Sequence, residues 1–227
     1  MAVLRVENLT LEIPGRRLLD NISFDLERGE SIAIMRPSGA GKTSLINCVC
    51  GIVKPTSGRI WLVDSEVTLQ TAPKRAASRL ANVGYLFQFG ELLPEISVLE
   101  NVALPLKLRG VPWDDAERRA AHQLETVGLA NRGRDNPDVL SGGEVQRVAV
   151  SRAMVTEPAL ILADEPTGAL DEENSSRVCD LIFSLATTFG AAVVVGTHNP
   201  EVASRAHRSV ILRDGRIDAR ARIGVPS

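Results

Sequence analysis

The side chains best placed to do chemistry are Lys42 and Thr43, the acidic pair Asp164-Glu165, and His198. Lys42 and Thr43 stand in the run Arg36-Pro37-Ser38-Gly39-Ala40-Gly41-Lys42-Thr43-Ser44. That run fits the phosphate-binding pattern G-x-x-x-x-G-K-[ST] everywhere except at its first position, where Arg36 replaces glycine. Gly39 and Gly41 allow a tight turn, so backbone N–H groups over 39–43 can wrap a phosphate. A helix starting behind the loop adds the partial positive charge of its N-terminus. Lys42 then supplies a point charge to β- and γ-phosphates, and the Thr43 hydroxyl a ligand for Mg²⁺.

Asp164 and Glu165 follow the apolar run Leu160-Ile161-Leu162-Ala163 and precede Pro166-Thr167-Gly168. An acidic pair at the end of a buried strand suits a second metal-holding element. Asp164 is expected to hold Mg²⁺, directly or through water. Glu165 is expected to orient or deprotonate an attacking water, because phosphoryl transfer asks mainly for positioning and charge neutralisation. His198 ends another apolar strand, where ligands collect in open α/β sheets, and is expected to donate a hydrogen bond to the γ-phosphate. His122 and His207 have no such setting and receive no role. Ser141-Gly142-Gly143, at a helix start, is a second anion-binding nest. One chain needs one nest per triphosphate, so a second suggests a nucleotide shared between two chains.

The elements that must position these groups are readable from periodicity. Strands are expected over 4–13, 22–26 and 31–35, the last running into the glycine-rich loop, with a helix over 42–49 behind it. A strand over 59–63, a basic surface helix over 73–80 and a strand over 83–87 ending at Gln88 follow. From 98 to 129 the pattern is helical, broken near Gly110-Val111-Pro112, and another helix follows Ser141. No strand is expected between about 88 and 158, which marks an inserted helical block. Strand texture returns at 160–163 and 191–196 around a helix at 178–185. Asp214-Gly215, between 210–212 and 216–217, signals a two-residue hairpin.

The expected fold is therefore α/β: a P-loop NTPase core with a mainly parallel sheet, an N-terminal antiparallel β subdomain and an inserted α-helical subdomain. The chain reads as one domain, 1–227, with the core in 1–88 and 158–217, the helical part in 89–157 and a frayed tail over 218–227. Its 227 residues suffice for one substantial core, and a net charge of -2 gives no reason to expect a nucleic-acid partner. No apolar run approaches the roughly 18 residues needed to span a bilayer, and early charge in the N-terminus does not suit a signal peptide. Cys48, Cys50 and Cys179 form neither a disulfide framework nor metal-ligand spacing, and the first two read as small buried thiols. A cytosolic chain is expected.

In combination, Lys42-Thr43, Gln88 after Tyr85-Leu86-Phe87, Leu140-Ser141-Gly142-Gly143-Glu144 with Gln146-Arg147, Asp164-Glu165, Ala169-Leu170-Asp171 and Thr197-His198 resemble the ATP-binding subunit of an ABC transporter. The resemblance runs from about 4 to 217. It implies an ATPase with ATP and Mg²⁺ as cofactors. ATP would contact Pro37, Ser38, Gly39, Ala40, Gly41, Lys42, Thr43, Ser44 and Ile13 of one chain and Ser141, Gly142 and Gly143 of another, in a head-to-tail homodimer. Gln88 would contact Mg²⁺ and the attacking water, and Asp171 would sit at the dimer seam. A transmembrane permease would contact the region around Gln88 and the run from Leu92 to Asn101, holding the subunit on the cytoplasmic face of the membrane. Leu92-Leu93-Pro94 and the run 98–106 are similar to the branch serving lipoprotein release, macrolide-type efflux and cell division.

Two departures bear on activity. The resemblance implies an aromatic residue stacking on adenine, where this chain has Ile13. Arg36 either strains the loop or points into solvent. They motivate a second reading, an ATP-binding regulatory subunit with weak hydrolysis that signals through a membrane partner without moving cargo. A soluble DNA-repair ATPase is disfavoured, because no sustained heptads occur.

Overall fold

The computed structural model describes residues 2–35 and 41–218. Strands β1 (Ala2–Ile13) and β2 (Arg16–Glu27) form an antiparallel hairpin, to which β4 (Ser57–Leu62) and β5 (Ser65–Glu66) add in the order β2-β1-β4-β5. A second sheet is built from β3 (Ser31–Met35), β6 (Val83–Leu86), β7 (Leu160–Asp164), β8 (Ala192–Thr197), β9 (Arg208–Arg213) and β10 (Arg216–Asp218). Its order is β10-β9-β3-β8-β7-β6, and every pairing is parallel except β9 with β10.

The short apolar strands become the middle of this sheet because both faces are covered. Leu160 and Leu162 of β7, with Ala192 and Val194 of β8, face a core shared with the antiparallel sheet and with helix α1 (Lys42–Val49). Their alternates Ile161, Ala163, Val193 and Val195 face α5 (Gly142–Met154) and α6 (Glu172–Phe189) on the other side. The period of two along each strand thus divides one apolar run between two cores. A third apolar cluster joins α3 (Val98–Leu108), α4 (Trp113–Thr126) and α5. Helix α2 (Ala72–Asn82) packs against β6 with no buried residue, and α7 (Pro200–Ser204) buries Val202 and Ala203 beside β3, β8 and β9. Among the described residues no helix is long and apolar enough to cross a membrane.

Several bounds differ from the sequence reading. β2 runs back to Arg16 because it pairs along most of β1, with Ile13 opposite Arg16. α6 begins at Glu172, well before 178, because Asp171 caps it, accepting a hydrogen bond from the Asn174 N–H at 2.9 Å. Its first turns face outward, so apolar periodicity does not mark them. Asp218 belongs to β10, opposite Ile211, rather than to a frayed tail. The hairpin turn itself is as expected, with φ of 47° at Asp214 and 78° at Gly215. Cys48, Cys50 and Cys179 are free and buried, and burial pushes the first two thiols up to about 12 and the third to about 11.

Candidate functional site

Arg36, Pro37, Ser38, Gly39 and Ala40 lie outside the described residues. Gly41 precedes α1 with φ 120°, a backbone conformation that a side chain strains. Lys42 is buried, Ser44 half-buried and Thr43 exposed. Gly196 in β8 lets α1 approach the sheet: a Cβ there would stand 3.0 Å from Ile46 Cδ1 and 3.3 Å from Asp164 Oδ1.

The C-terminal ends of β3, β7 and β8 bring the charged groups together. Lys42 Nζ pairs with Glu165 Oε1, and His198 Nδ1 lies 2.9 Å from Glu165 Oε2. Glu165 has a φ of 48°, costly for a residue with a Cβ and of order 1–3 kcal/mol. Its backbone is held on both sides: its N–H donates to Gly196 O at 2.8 Å and its carbonyl accepts from Gly168 N–H at 3.0 Å. Burial raises its carboxyl, but the Lys42 and His198 hydrogen bonds outweigh that, leaving it below the usual carboxylate range. Asp164 goes the other way, raised chiefly by burial despite a hydrogen bond from Thr43.

Asp164 Oδ1 is buried with no hydrogen-bond partner among the described residues. An orphaned carboxylate oxygen beside a threonine hydroxyl is costly unless something else satisfies it. A hard cation fits that donor set. No group of three or more His, Cys, Asp or Glu ligands occurs among the described residues, so a cation held by Asp164 and Thr43 would draw most of its other ligands from water and phosphate oxygens. A cleft of about 360 Å³ opens beside the cluster, lined in part by Glu165, Gly168, Leu170, Thr197 and His198. Gln88 is exposed, with Nε2 3.4 Å from where a Cβ on Gly168 would lie. Ile13 ends β1, 45% exposed.

The second nest lies at the start of α5. Ser141 caps α5: its hydroxyl donates to Glu144 Oε2 at 2.8 Å and its backbone N–H donates to the same oxygen at 2.9 Å. These bonds, helped by Arg132, hold the Glu144 carboxyl down at about 2. A Cβ on Gly143 would meet Asn174 Oδ1 at 2.6 Å, so the helix start packs closely on the Asn174 side chain of α6, which a larger residue would have to displace. Asp171, which caps that helix and bonds Asn174 Nδ2 at 2.6 Å, therefore borders the nest. Sequence reasoning assigned no role to Gln146, Arg152 and Asn174. The one available signal was Gln146, a polar residue in register with the apolar Ala149, Val150 and Ala153, which requires internal partners.

A glycine-preceded helix carrying lysine and threonine, set against an acidic strand end in a mainly parallel sheet, defines a P-loop nucleotide-binding protein. The comparisons narrow this to a family. The sequence pattern described as ABC transporter matches residues 19–168, and the chain belongs to that family. An uncharacterized ABC transporter ATP-binding protein of Mycobacterium tuberculosis is 44% identical over 202 residues, covering 89% of this chain and 82% of that protein. The lipoprotein-releasing system ATP-binding protein LolD of Bacteroides fragilis is 38% identical over 215 residues, 95% of this chain and all of that one. The dimeric ATP-binding cassette MJ0796, in a post-hydrolysis state bound to ADP and Pi, superposes with a TM-score of 0.89 at 30% identity, over 99% of both chains.

Proposed function

We propose that this chain binds and hydrolyses ATP, and that two copies closing around nucleotide power a membrane-embedded transporter. The observation that carries the reading is the convergence on Glu165: one carboxylate held in a left-handed backbone position, with Lys42 on one oxygen and His198 on the other. On nucleotide binding Lys42 would transfer from Glu165 to the β- and γ-phosphates. That exchange leaves Glu165 free to orient or deprotonate water, with His198 beside it to donate to the γ-phosphate. Asp164 and Thr43 would hold Mg²⁺, with Gln88 as a further ligand, and the ion would neutralise charge on the phosphate oxygens. The N–H groups of Gly41 and Lys42 head a helix that favours an anion.

The sandwich reading rests on the exposed Ser141-Gly142 nest and on Asp171 bordering it, together with the dimeric state of MJ0796. Pro37, Ser38, Gly39 and Ala40 complete the phosphate loop, and Ile13 offers adenine an apolar contact. The permease surface is the region around Gln88 and 92–101, where Phe89 and Leu93 expose apolar side chains, 64% and 43%. Such a subunit sits peripherally on the cytoplasmic face of the membrane, its core and helical parts acting as one domain. Lipoprotein release belongs to the name of LolD.

The test is phosphate release by the purified chain beside Glu165→Gln. A fall of at least a hundredfold, about 2.7 kcal/mol of barrier, supports hydrolysis through Glu165, and equal rates overturn it. Gel filtration of Glu165→Gln with ATP should show a dimer. Nucleotide binding without turnover in either protein would favour the regulatory reading.

A further inference from the structure

Resting on the sandwich reading, we infer that Gln146 is a positioning residue that ties the Ser141 nest to the chain's own Gln88 and Glu165. Gln146 is 2% exposed in α5, the helix that the nest begins. Its Nε2 donates to the Phe87 carbonyl at 3.1 Å and to the Pro166 carbonyl at 2.7 Å. Phe87 immediately precedes Gln88, and Pro166 immediately follows Glu165. One amide group therefore spans the segments after β6 and β7, from a helix whose N-terminal end at Ser141 and Gly142 is exposed.

The packing around this bridge leaves little slack. A Cβ on Gly90 would stand 2.7 Å from Val145 Cγ1 and 3.2 Å from Gln146 Oε1, so the segment after Gln88 is pressed onto α5. Further along the helix, Arg152 donates to the Gly90 and Glu91 carbonyls at 2.6 and 2.9 Å. Two side chains of α5 thus hold the backbone on either side of Phe89. A helix transmits displacement along its axis because its own hydrogen bonds resist local bending. When a partner's triphosphate draws in Ser141, the shift of α5 reaches Gln88 and Glu165 through Gln146. Each site then responds to occupancy of the other.

The bridge needs donors, not bulk. Gln146→Met keeps length and suits a buried position but donates nothing, so the Pro166 carbonyl loses this donor and the Phe87 carbonyl keeps the Gly90 N–H at 3.2 Å. We expect kcat for ATP to fall at least tenfold while nucleotide Kd stays within about twofold of the wild type. The ATP-dependent dimer of Glu165→Gln should survive addition of Gln146→Met. A purely structural role predicts instead that turnover falls only in step with folded fraction or with affinity. At protein concentrations that keep every variant paired, combining Ser141→Ala with Gln146→Met should lower kcat no further than the worse single variant, because both interrupt one linkage.

Turnover of Gln146→Met within twofold of wild type overturns the inference, as does simple multiplication of the two effects. If Gln146→Met does not fold, the side-chain amide resonance of Gln146 in the Glu165→Gln protein decides. A shift with Mg-ATP but not Mg-ADP supports the linkage, and no shift with ATP overturns it. An inactive wild type, by contrast, removes the proposed hydrolysis and not this bridge alone.

Discussion

The two anion-binding ends of this chain are built in opposite ways. The Lys42 end is buried and closed on itself: its cation already has a carboxylate, and that carboxylate already has a histidine. The Ser141 end is exposed, and the carboxylate beside it, Glu144, belongs to its own cap. Strand ends fix the first through β3, β7 and β8, so its geometry is over-determined by the sheet. The second is fixed by a helix start, by the Asn174 contact and by Arg132 on Glu144. A buried cluster must exchange charged internal partners for nucleotide, whereas the exposed nest has water and its own cap partner, Glu144, to exchange. On the proposed function, chemistry belongs to the first end and recognition to the second.

The largest way to break this comparison is to remove the charge at the closed end. Lys42→Met should raise the dissociation constant for ATP at least tenfold, about 1.4 kcal/mol or more, read by titration of a fluorescent nucleotide. The Glu165 carboxyl should rise in the same variant, since burial remains while its strongest lowering partner is gone. Unchanged affinity would mean that the pair with Glu165 is not exchanged for phosphate. Ser141→Ala acts at the open end and should cost about 1 kcal/mol of stability, the usual worth of an N-cap, as a lower melting temperature. Nucleotide binding to the single chain should be unaffected, while ATP-dependent pairing weakens.

The same contrast explains what was legible in the sequence. The buried strands 31–35, 160–163 and 191–196 announce themselves because continuous apolar runs admit few alternatives, and the charged residues at their ends follow in register. Helix α1 matched to the residue, since the glycine loop fixes its start. The first turns of α6 were missed because they are polar and marked only by the Asp171 cap. The short strand β5 was missed because two residues carry no period. Gln146 stood in a recognised motif, yet nothing in spacing says that one amide reaches two carbonyls contributed by separate strand ends. Long-range pairings of single polar side chains lie outside what periodicity encodes.

A smaller effect is expected where the base of the nucleotide meets the antiparallel sheet. Ile13 is exposed at the end of β1 and offers no ring. Ile13→Tyr should tighten ATP severalfold, within the ~1–3 kcal/mol that stacking on a base contributes, with kcat unchanged. No gain in affinity would show that adenine does not lie on this residue.

The smallest effect sharpens the comparison at the nest itself. Glu144 is held at about 2 by the Ser141 N–H and hydroxyl and by Arg132, against an ordinary value of 4.5. A depressed carboxylate stabilises the fold above its unfolded value, and that contribution is lost as pH falls from about 4.5 towards 2. Glu144 is exposed enough that solvent screens much of the interaction. Glu144→Gln should therefore flatten the acid limb of the stability profile slightly, in melts between pH 5 and 3, and leave stability at pH 7 a little lower. The amide also removes a negative charge next to Ser141 and frees its hydroxyl from a carboxylate acceptor. ATP-induced pairing should then strengthen while single-chain affinity stays constant, because only the open end has changed. A change in single-chain affinity would mean that the two ends are not separate, and the division between a chemical end and a recognition end would fail.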